Sequence, residues 1–407
     1  MRWNHIAILS IISLLFAGCD ILFGSKEDPV VEEIFEEGSI DPTLIPAEVG
    51  YVPVFPFWEG FSAPQDIFIG YDEMVYVVDD EGLKVLDQKG ELHRTIFIPG
   101  ATDVTQDRRL HTYVAGRIDI DVDSDGTTEN LAAIYHITNA SDDLEPQIID
   151  TLIHPFNDAT RANSAYRGVD DELVEFTGLA SLADNTLLVS RTGPRNDLAN
   201  IARPDNAVLF YDGDGENIGY ANGLNPVSSS LKSLLNVSSV ASFAGPPQQV
   251  AGISNSKDFI ILQQSEEAEY AALWIMEFFD PESGTEYIEN AALTAMDQSE
   301  ADRFLYEPFR FTAASDVCIA PDETGHIFIV DSQSDSLFLF SPNGQEGVNP
   351  PPTSTSEKQI IVSFGGAGTG PFNFNEPSGV AYMREVVYIA DKGNDRVCRF
   401  ILSTDIE

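Results

Sequence analysis

Phe364-Gly365-Gly366-Ala367-Gly368-Thr369-Gly370-Pro371-Phe372-Asn373-Phe374-Asn375-Glu376-Pro377-Ser378-Gly379-Val380-Ala381, then Val386-Val387-Tyr388-Ile389-Ala390-Asp391-Lys392-Gly393-Asn394-Asp395-Arg396-Val397-Cys398-Arg399-Phe400, is the stretch on which the fold turns. Short β-branched and aromatic runs alternate here with clusters of Gly, Asn and Asp, the pattern of an antiparallel meander. A sheet built this way exposes two apolar faces and is not stable alone. It asks for copies of itself.

Copies are present. The same grammar recurs at Ala63-Pro64-Gln65-Asp66-Ile67-Phe68-Ile69, Met74-Val75-Tyr76-Val77-Val78-Asp79 and Leu83-Lys84-Val85-Leu86-Asp87. It recurs again at Ala314-Ser315-Asp316-Val317-Cys318-Ile319-Ala320, Ile327-Phe328-Ile329-Val330-Asp331 and Ser336-Leu337-Phe338-Leu339-Phe340-Ser341. In residue types and spacing these units resemble the NHL repeat. Weaker copies lie between them. One combines His111–Ala115 with Leu131–Ile137, and a second combines Gly178–Ala180, Thr186–Ser190 and Ala207–Tyr211. A third combines Gln249–Ile253, Phe259–Leu262 and Ala272–Met276.

Repeats that cannot bury their faces alone pack in a ring, which leaves only short edges. The reading is therefore all-β, a six-bladed β-propeller over 51–407, with blades at roughly 57–98, 99–150, 173–224, 245–284, 311–345 and 360–403. Long inserts separate the copies. Residues 193–206 and 345–359 read as loops, whereas Ile288 through Tyr306 has helical composition and rough helical spacing.

The 407 residues are 43% apolar and 10% aromatic, the balance of a packed globular chain. A formal charge of −44 repels nucleic acid and anionic headgroups, and attracts cations or basic partners. It also suits a protein adapted to a salty habitat. Of three cysteines, Cys318 and Cys398 sit in strand-like runs and read as small buried thiols.

The N-terminus points to export. Arg2 precedes an apolar run from Ile6 to Phe16, too short to span a bilayer and ending in small residues, as in a cleaved signal. Ala17-Gly18-Cys19 resembles the lipobox of bacterial lipoproteins, with Leu15 one place earlier than that family usually carries it. The resemblance implies a signal peptide over 1–18 and a lipid on Cys19, followed by an acidic flexible tether over 19–50. Asp20 is a retention residue for the inner membrane in some bacteria, so the chain is placed on the cell envelope with its membrane left open: outer membrane, periplasmic face or surface, or inner membrane.

Asp121-Val122-Asp123-Ser124-Asp125-Gly126-Thr127-Thr128-Glu129 lies between two strand-like runs. Carboxylates on alternate residues, a turn-permitting Gly126, a Thr127 carbonyl and Glu129 make an oxygen set suited to a structural Ca²⁺. Ala132 stands where the helix-loop-helix calcium motif needs a carboxylate, and the pattern resembles instead the calcium hairpin of integrin-type propellers. A metal-free Asp-rich turn is the competing reading. Asp79, Asp331 and Asp391 end the same strand in three copies; the NHL resemblance implies framework residues that tie a turn to backbone. The histidines His93, His111, His136, His154 and His326 fall at different places in their repeats and form no pair by spacing. No nucleophile elbow or phosphate-binding loop occurs, so no catalytic residue is assigned.

The function that follows is a binding or scaffolding module recognising a protein, peptide or glycan partner, with no nucleic acid. The alternatives are a lactonase- or lyase-type propeller enzyme with a divalent metal in its channel, and a subunit of a larger envelope assembly.

Overall fold

The apolar runs pair into six antiparallel sheets, each one blade of a closed ring. In the computed structural model the described residues are 38–122, 124–161, 170–196, 204–222, 234–246, 255–282, 284–294, 296–352 and 354–406, and the unit Ile40–Glu407 carries every strand among them. Blade 1 runs Asp66–Ile69, Val75–Asp79, Gly82–Leu86 and Leu92–Ile96 from the axis outward. Blade 2 is Asp103–Gln106, Thr112–Ile120, Glu129–Thr138 and Gln147–Ile153. Blade 3 is Glu175–Ser181, Leu187–Thr192, Ala207–Tyr211 and Asn217–Ala221. Blade 4 is Val237–Ser242, Phe259–Gln263, Ala272–Asp280 and Gly284–Glu289. Blade 5 is Ala314–Ile319, Ile327–Asp331, Ser336–Phe340 and the short Phe364–Gly365.

Blade 6 takes its inner three strands, Pro377–Met383, Val386–Asp391 and Arg396–Leu402, from the end of the chain and its outer strand, Tyr51–Pro53, from near the beginning. Tyr51 pairs with Leu402 and Pro53 with Phe400, so the ring is closed by backbone hydrogen bonds between segments far apart in sequence. Trp58–Glu59 adds a second antiparallel bridge to the same strand.

The core is a ring of seams. Second and third strands are buried on both faces, which is why Val75–Asp79 and Ile327–Asp331 read as unbroken apolar runs rather than alternating ones. Apolar side chains of blades 1 and 2, such as Tyr76, Val85, Val104 and Val114, form one cluster, and those of blades 5 and 6, such as Phe328, Leu339, Ile389 and Phe400, another. Outer strands such as Leu92–Ile96 face water. Among the described residues no helix is long and apolar enough to cross a membrane.

Several expectations need correction. The inner strand of blade 4 is Val237–Ser242, upstream of the proposed 245–284 range, while Gln249–Ile253 lies outside the described residues. Val237-Ser238-Ser239-Val240-Ala241-Ser242 is too polar to read as a buried strand, yet hydroxyls suit a strand beside the channel. Blade 5 extends past 345 because its outer strand is Phe364–Gly365, beyond a 341–363 insert. Among the described residues of 288–306 the proposed helix is absent: Gly284–Glu289 pairs with Ile275–Asp280 as a strand, and the single 3₁₀ turn Ala291–Thr294 follows. Cross-strand pairing of Tyr287 and Ile288 overrides the local composition there.

Candidate functional site in the central channel

The inner strands meet in the order of blades 1 to 6 and back to 1, enclosing a channel. Their first residues lie at what is here the start face and their last at the end face. Near the start of the inner strand in blades 3 to 6 one residue bulges out of register, at Thr177, Ser238, Ser315 and Ser378, and Thr102 precedes that of blade 2. The freed hydroxyl donates to a carbonyl of the next blade: Thr102 to Phe176 at 3.2 Å, Thr177 to Val237 at 2.7 Å, and Ser238 to Ala314 at 2.9 Å. Ser315 donates to Pro377 at 2.8 Å and Ser378 to Pro64 at 2.6 Å, so a belt of hydroxyls stitches five of the six seams.

The next residue along carries the chemistry. It is Asp66 in blade 1, Asp103 in blade 2 and Asp316 in blade 5, against Gly178, Ser239 and Gly379 in the others. Asp66 accepts the Val104 amide at 3.1 Å, Asp103 the Leu179 amide at 2.9 Å, and Asp316 the Val380 amide at 2.8 Å, each from the following blade. Asp316 also accepts the Ser239 hydroxyl at 2.7 Å. Gly379 is glycine for lack of room: a Cβ there would lie 2.8 Å from Asp66 Cα.

All three carboxylates are more than nine-tenths buried. Burial pushes Asp66 and Asp103 well above the usual carboxylate range, and the negative charges of their fellows push further in the same direction. Asp316 is raised to about 6 by burial, its hydrogen bonds from Val380 and Ser239 holding it back. No lysine or arginine among the described residues pairs with any of the three.

The aspartates line two spaces. Toward the start face is a mouth of about 290 Å³, with Gln65, Arg117, Glu175, Gln264 and the hydroxyl belt on its walls. Toward the end face is a cavity of about 80 Å³ that also touches Thr105, Cys318 and Tyr382. Beyond it one side chain crosses the axis. Tyr71, on the first turn of blade 1, donates its hydroxyl at 3.0 Å to the carbonyl of Ala244 in blade 4, the blade opposite. Its backbone amide is fixed at 2.7 Å by Gln106 of blade 2.

The sequence-assigned residues lie elsewhere. Asp79, Asp331 and Asp391 sit at turns on the start face, fully buried. Asp331 accepts the Thr312, Ala313, Gln333 and Ser334 amides; Asp79 accepts those of Ser62 and Glu81 and pairs with Lys84 at 2.8 Å. Asp391 accepts from Asn375, Asn394 and Arg396.

The Asp-rich segment is the exposed turn between the second and third strands of blade 2. Asp121 accepts the Gly126 amide at 3.0 Å, Asp125 the Thr127 amide at 2.7 Å, and Glu129 the Val122 amide at 3.2 Å. Asp123 and Cys19 lie outside the described residues. Among the described residues no three His, Cys, Asp or Glu side chains lie close enough to hold a metal ion. Cys398 is buried and Cys318 only half-buried, because it faces the channel.

Sequence spacing missed two further clusters. Strand register sets Tyr113 opposite His136 and brings His136 Nε2 to 2.8 Å from His111 Nδ1; burial lowers the His136 pKa to about 4. Between blades 2 and 3, His154 lies with its ring nitrogens 3.7 Å from Asp158 and 3.5 Å from Asp171, and burial pushes its pKa down. Buried Arg191 pairs there with Asp158, Arg161 with Asp205, and Arg195 with Asp171.

No family model and no curated protein matches the chain. Solved structures do. An auxiliary nutrient binding protein from Bacteroides thetaiotaomicron aligns over 84% of this chain and 70% of its own at 12% identity, with a TM-score of 0.48. One from Bacteroides ovatus aligns over 87% and 77% at 14% identity, TM-score 0.48. Virginiamycin B lyase from Staphylococcus aureus aligns over 87% and 99% at 10% identity, TM-score 0.41. At such identities and scores the likeness extends no further than the ring.

Proposed function

We propose that the chain is a binding module of the bacterial cell envelope, held by a lipid on Cys19, that takes a protein, peptide or glycan at the start face of an NHL-type propeller. One observation carries this reading: the channel opens on the start face into a mouth of about 290 Å³ with Gln65, Arg117, Glu175 and Gln264 on its walls, while Tyr71 lies across the other end. The described parts of the longer elaborations of blades 2 and 3, residues 124–128, 154–161, 170–174, 193–196 and 204–206, lie on that face, and loops on a rigid scaffold are where recognition concentrates. Against the metal-dependent enzyme stands the spread of the three aspartates around the wall, each tied to a different neighbouring blade. A structural Ca²⁺ at the Asp-rich turn of blade 2, on Asp121, Asp123, Asp125, Glu129 and the Thr127 carbonyl, is part of the same proposal.

Isolation from native membranes under mild conditions, followed by identification of co-purifying material, tests the binding reading. A stoichiometric partner is expected, and a chain recovered alone from intact envelope overturns it. Mass spectrometry of the mature N-terminus tests the anchor: the expected species starts at an acylated Cys19, and an unmodified terminus elsewhere refutes it.

A further inference from the structure

We propose that the channel waist receives a primary ammonium group, carried on a ligand that enters from the start face. This rests on the start face being the binding face.

Three observations lead there. First, Asp66, Asp103 and Asp316 are buried carboxylates without a cationic partner, a costly arrangement that a cation relieves. Second, Thr105 is 1% exposed, lines the inner cavity and leaves its hydroxyl without a hydrogen-bond partner. Val104 packs into the seam with blade 1, so strand alternation turns Thr105 the other way, to the side of Asp103. An unmet hydroxyl beside buried carboxyl groups marks a place for a polar guest.

Third, the space is small. The inner cavity, about 80 Å³, is smaller than the mouth of about 290 Å³ that leads to it. It is narrower than the mouth and so admits the tip of a ligand rather than its body, and the Tyr71 side chain lies across the end face beyond it, which favours a terminal group. The carboxylates do not converge as a metal's inner shell does. An ammonium group, with three N–H donors that reach about 2.7–2.9 Å to separate acceptors, suits such a spread better than a bare ion. Arg117 at the mouth pairs with none of the three carboxylates; its guanidinium is held instead by the carbonyls of Asn130, Glu172 and Val174.

Isothermal titration of the full chain with pentylamine, with a peptide ending in lysine, and with 1-pentanol at matched ionic strength decides the matter. Saturable binding of at least one amine and none of the alcohol is expected; the tighter amine tells a small molecule from a peptide source. Asp103→Asn is expected to weaken it about tenfold, the loss of one charge-assisted hydrogen bond. Glu175→Gln, exposed at the rim and outside the packed core, is a second variant expected to weaken binding less. Equal heats from amine and alcohol, no saturation, or full binding by both variants overturns the proposal. A chain that captures a partner through the start face yet fails this titration loses the ammonium site alone, whereas one that binds amine but captures nothing loses the partner reading alone.

Discussion

Two belts of three aspartates run around this ring, and they do different things. Asp79, Asp331 and Asp391 end the second strands of blades 1, 5 and 6; Asp66, Asp103 and Asp316 start the inner strands of blades 1, 2 and 5. Both belts are buried. In the turn belt every carboxylate is filled with donors, four backbone amides at Asp331 and a cation at both Asp79 and Asp391. In the channel belt Asp66 and Asp103 each accept a single amide from the neighbouring blade, and no cation stands by. Burial alone does not decide whether an acid is framework; the number of donors does.

Substitution should break the first belt hardest. Asp331→Ala strands four backbone amides, and at about 1–3 kcal/mol per orphaned group the loss is expected to exceed about 4 kcal/mol by urea denaturation. The buried pair of Arg191 and Asp158 is a control outside both belts: Arg191→Leu leaves Asp158 uncompensated, at an expected cost of about 3–5 kcal/mol. Asp103→Asn keeps an acceptor for the Leu179 amide and removes a buried charge, so stability at neutral pH is expected to change by less than about 1 kcal/mol or to rise. A loss as large as that of Asp331→Ala would erase the distinction between the belts.

Acidity sharpens the contrast. A carboxyl raised to about 6 in the folded state, as at Asp316, binds its proton more tightly folded than unfolded. Its contribution is therefore fully present at acid pH and is lost as pH rises from about 4 through about 6. Denaturation at a series of pH values should show a stability slope over that interval that is steeper downward in the native chain than in Asp316→Asn. His136, lowered to about 4, works the other way and loses stability as pH falls below about 6.5, so the two chains must be compared with His136 intact. The smallest effect belongs to the exposed acids. Calcium chloride at a concentration near the dissociation constant should raise the melting temperature slightly and Asp125→Asn should abolish that rise, since ligand binding there stabilises by only about 0.4 kcal/mol.

The fold was largely legible where repeats are regular. Blades 1, 5 and 6 carry long β-branched runs ending in Asp, and their second and third strands lie where those runs do. Blade 4 was harder because its inner strand is half serine, chosen for hydroxyls that bond to the next blade rather than for apolarity. The closing strand Tyr51–Pro53 is three residues long and finds its partner some 350 residues away, a pairing no local pattern encodes. The channel acids were written in the repeats all along: Asp66 and Asp316 occupy the place of Gly379. That signal is a substitution at one register position, visible only once the ring shows that this position faces the next blade and the axis. The His111–His136 contact likewise follows from strand register, not from spacing.

The central claim is that recognition occurs at the start face. It is tested most directly by isolating three forms of the full chain from native envelope in parallel: the unaltered chain, Glu175→Arg at the start-face mouth, and Glu323→Arg on an exposed end-face turn of blade 5. The same charge reversal on opposite faces should abolish the co-purified partner in the first variant and leave it in the second. Loss of the partner only in Glu323→Arg, or its full retention in Glu175→Arg, would contradict the account.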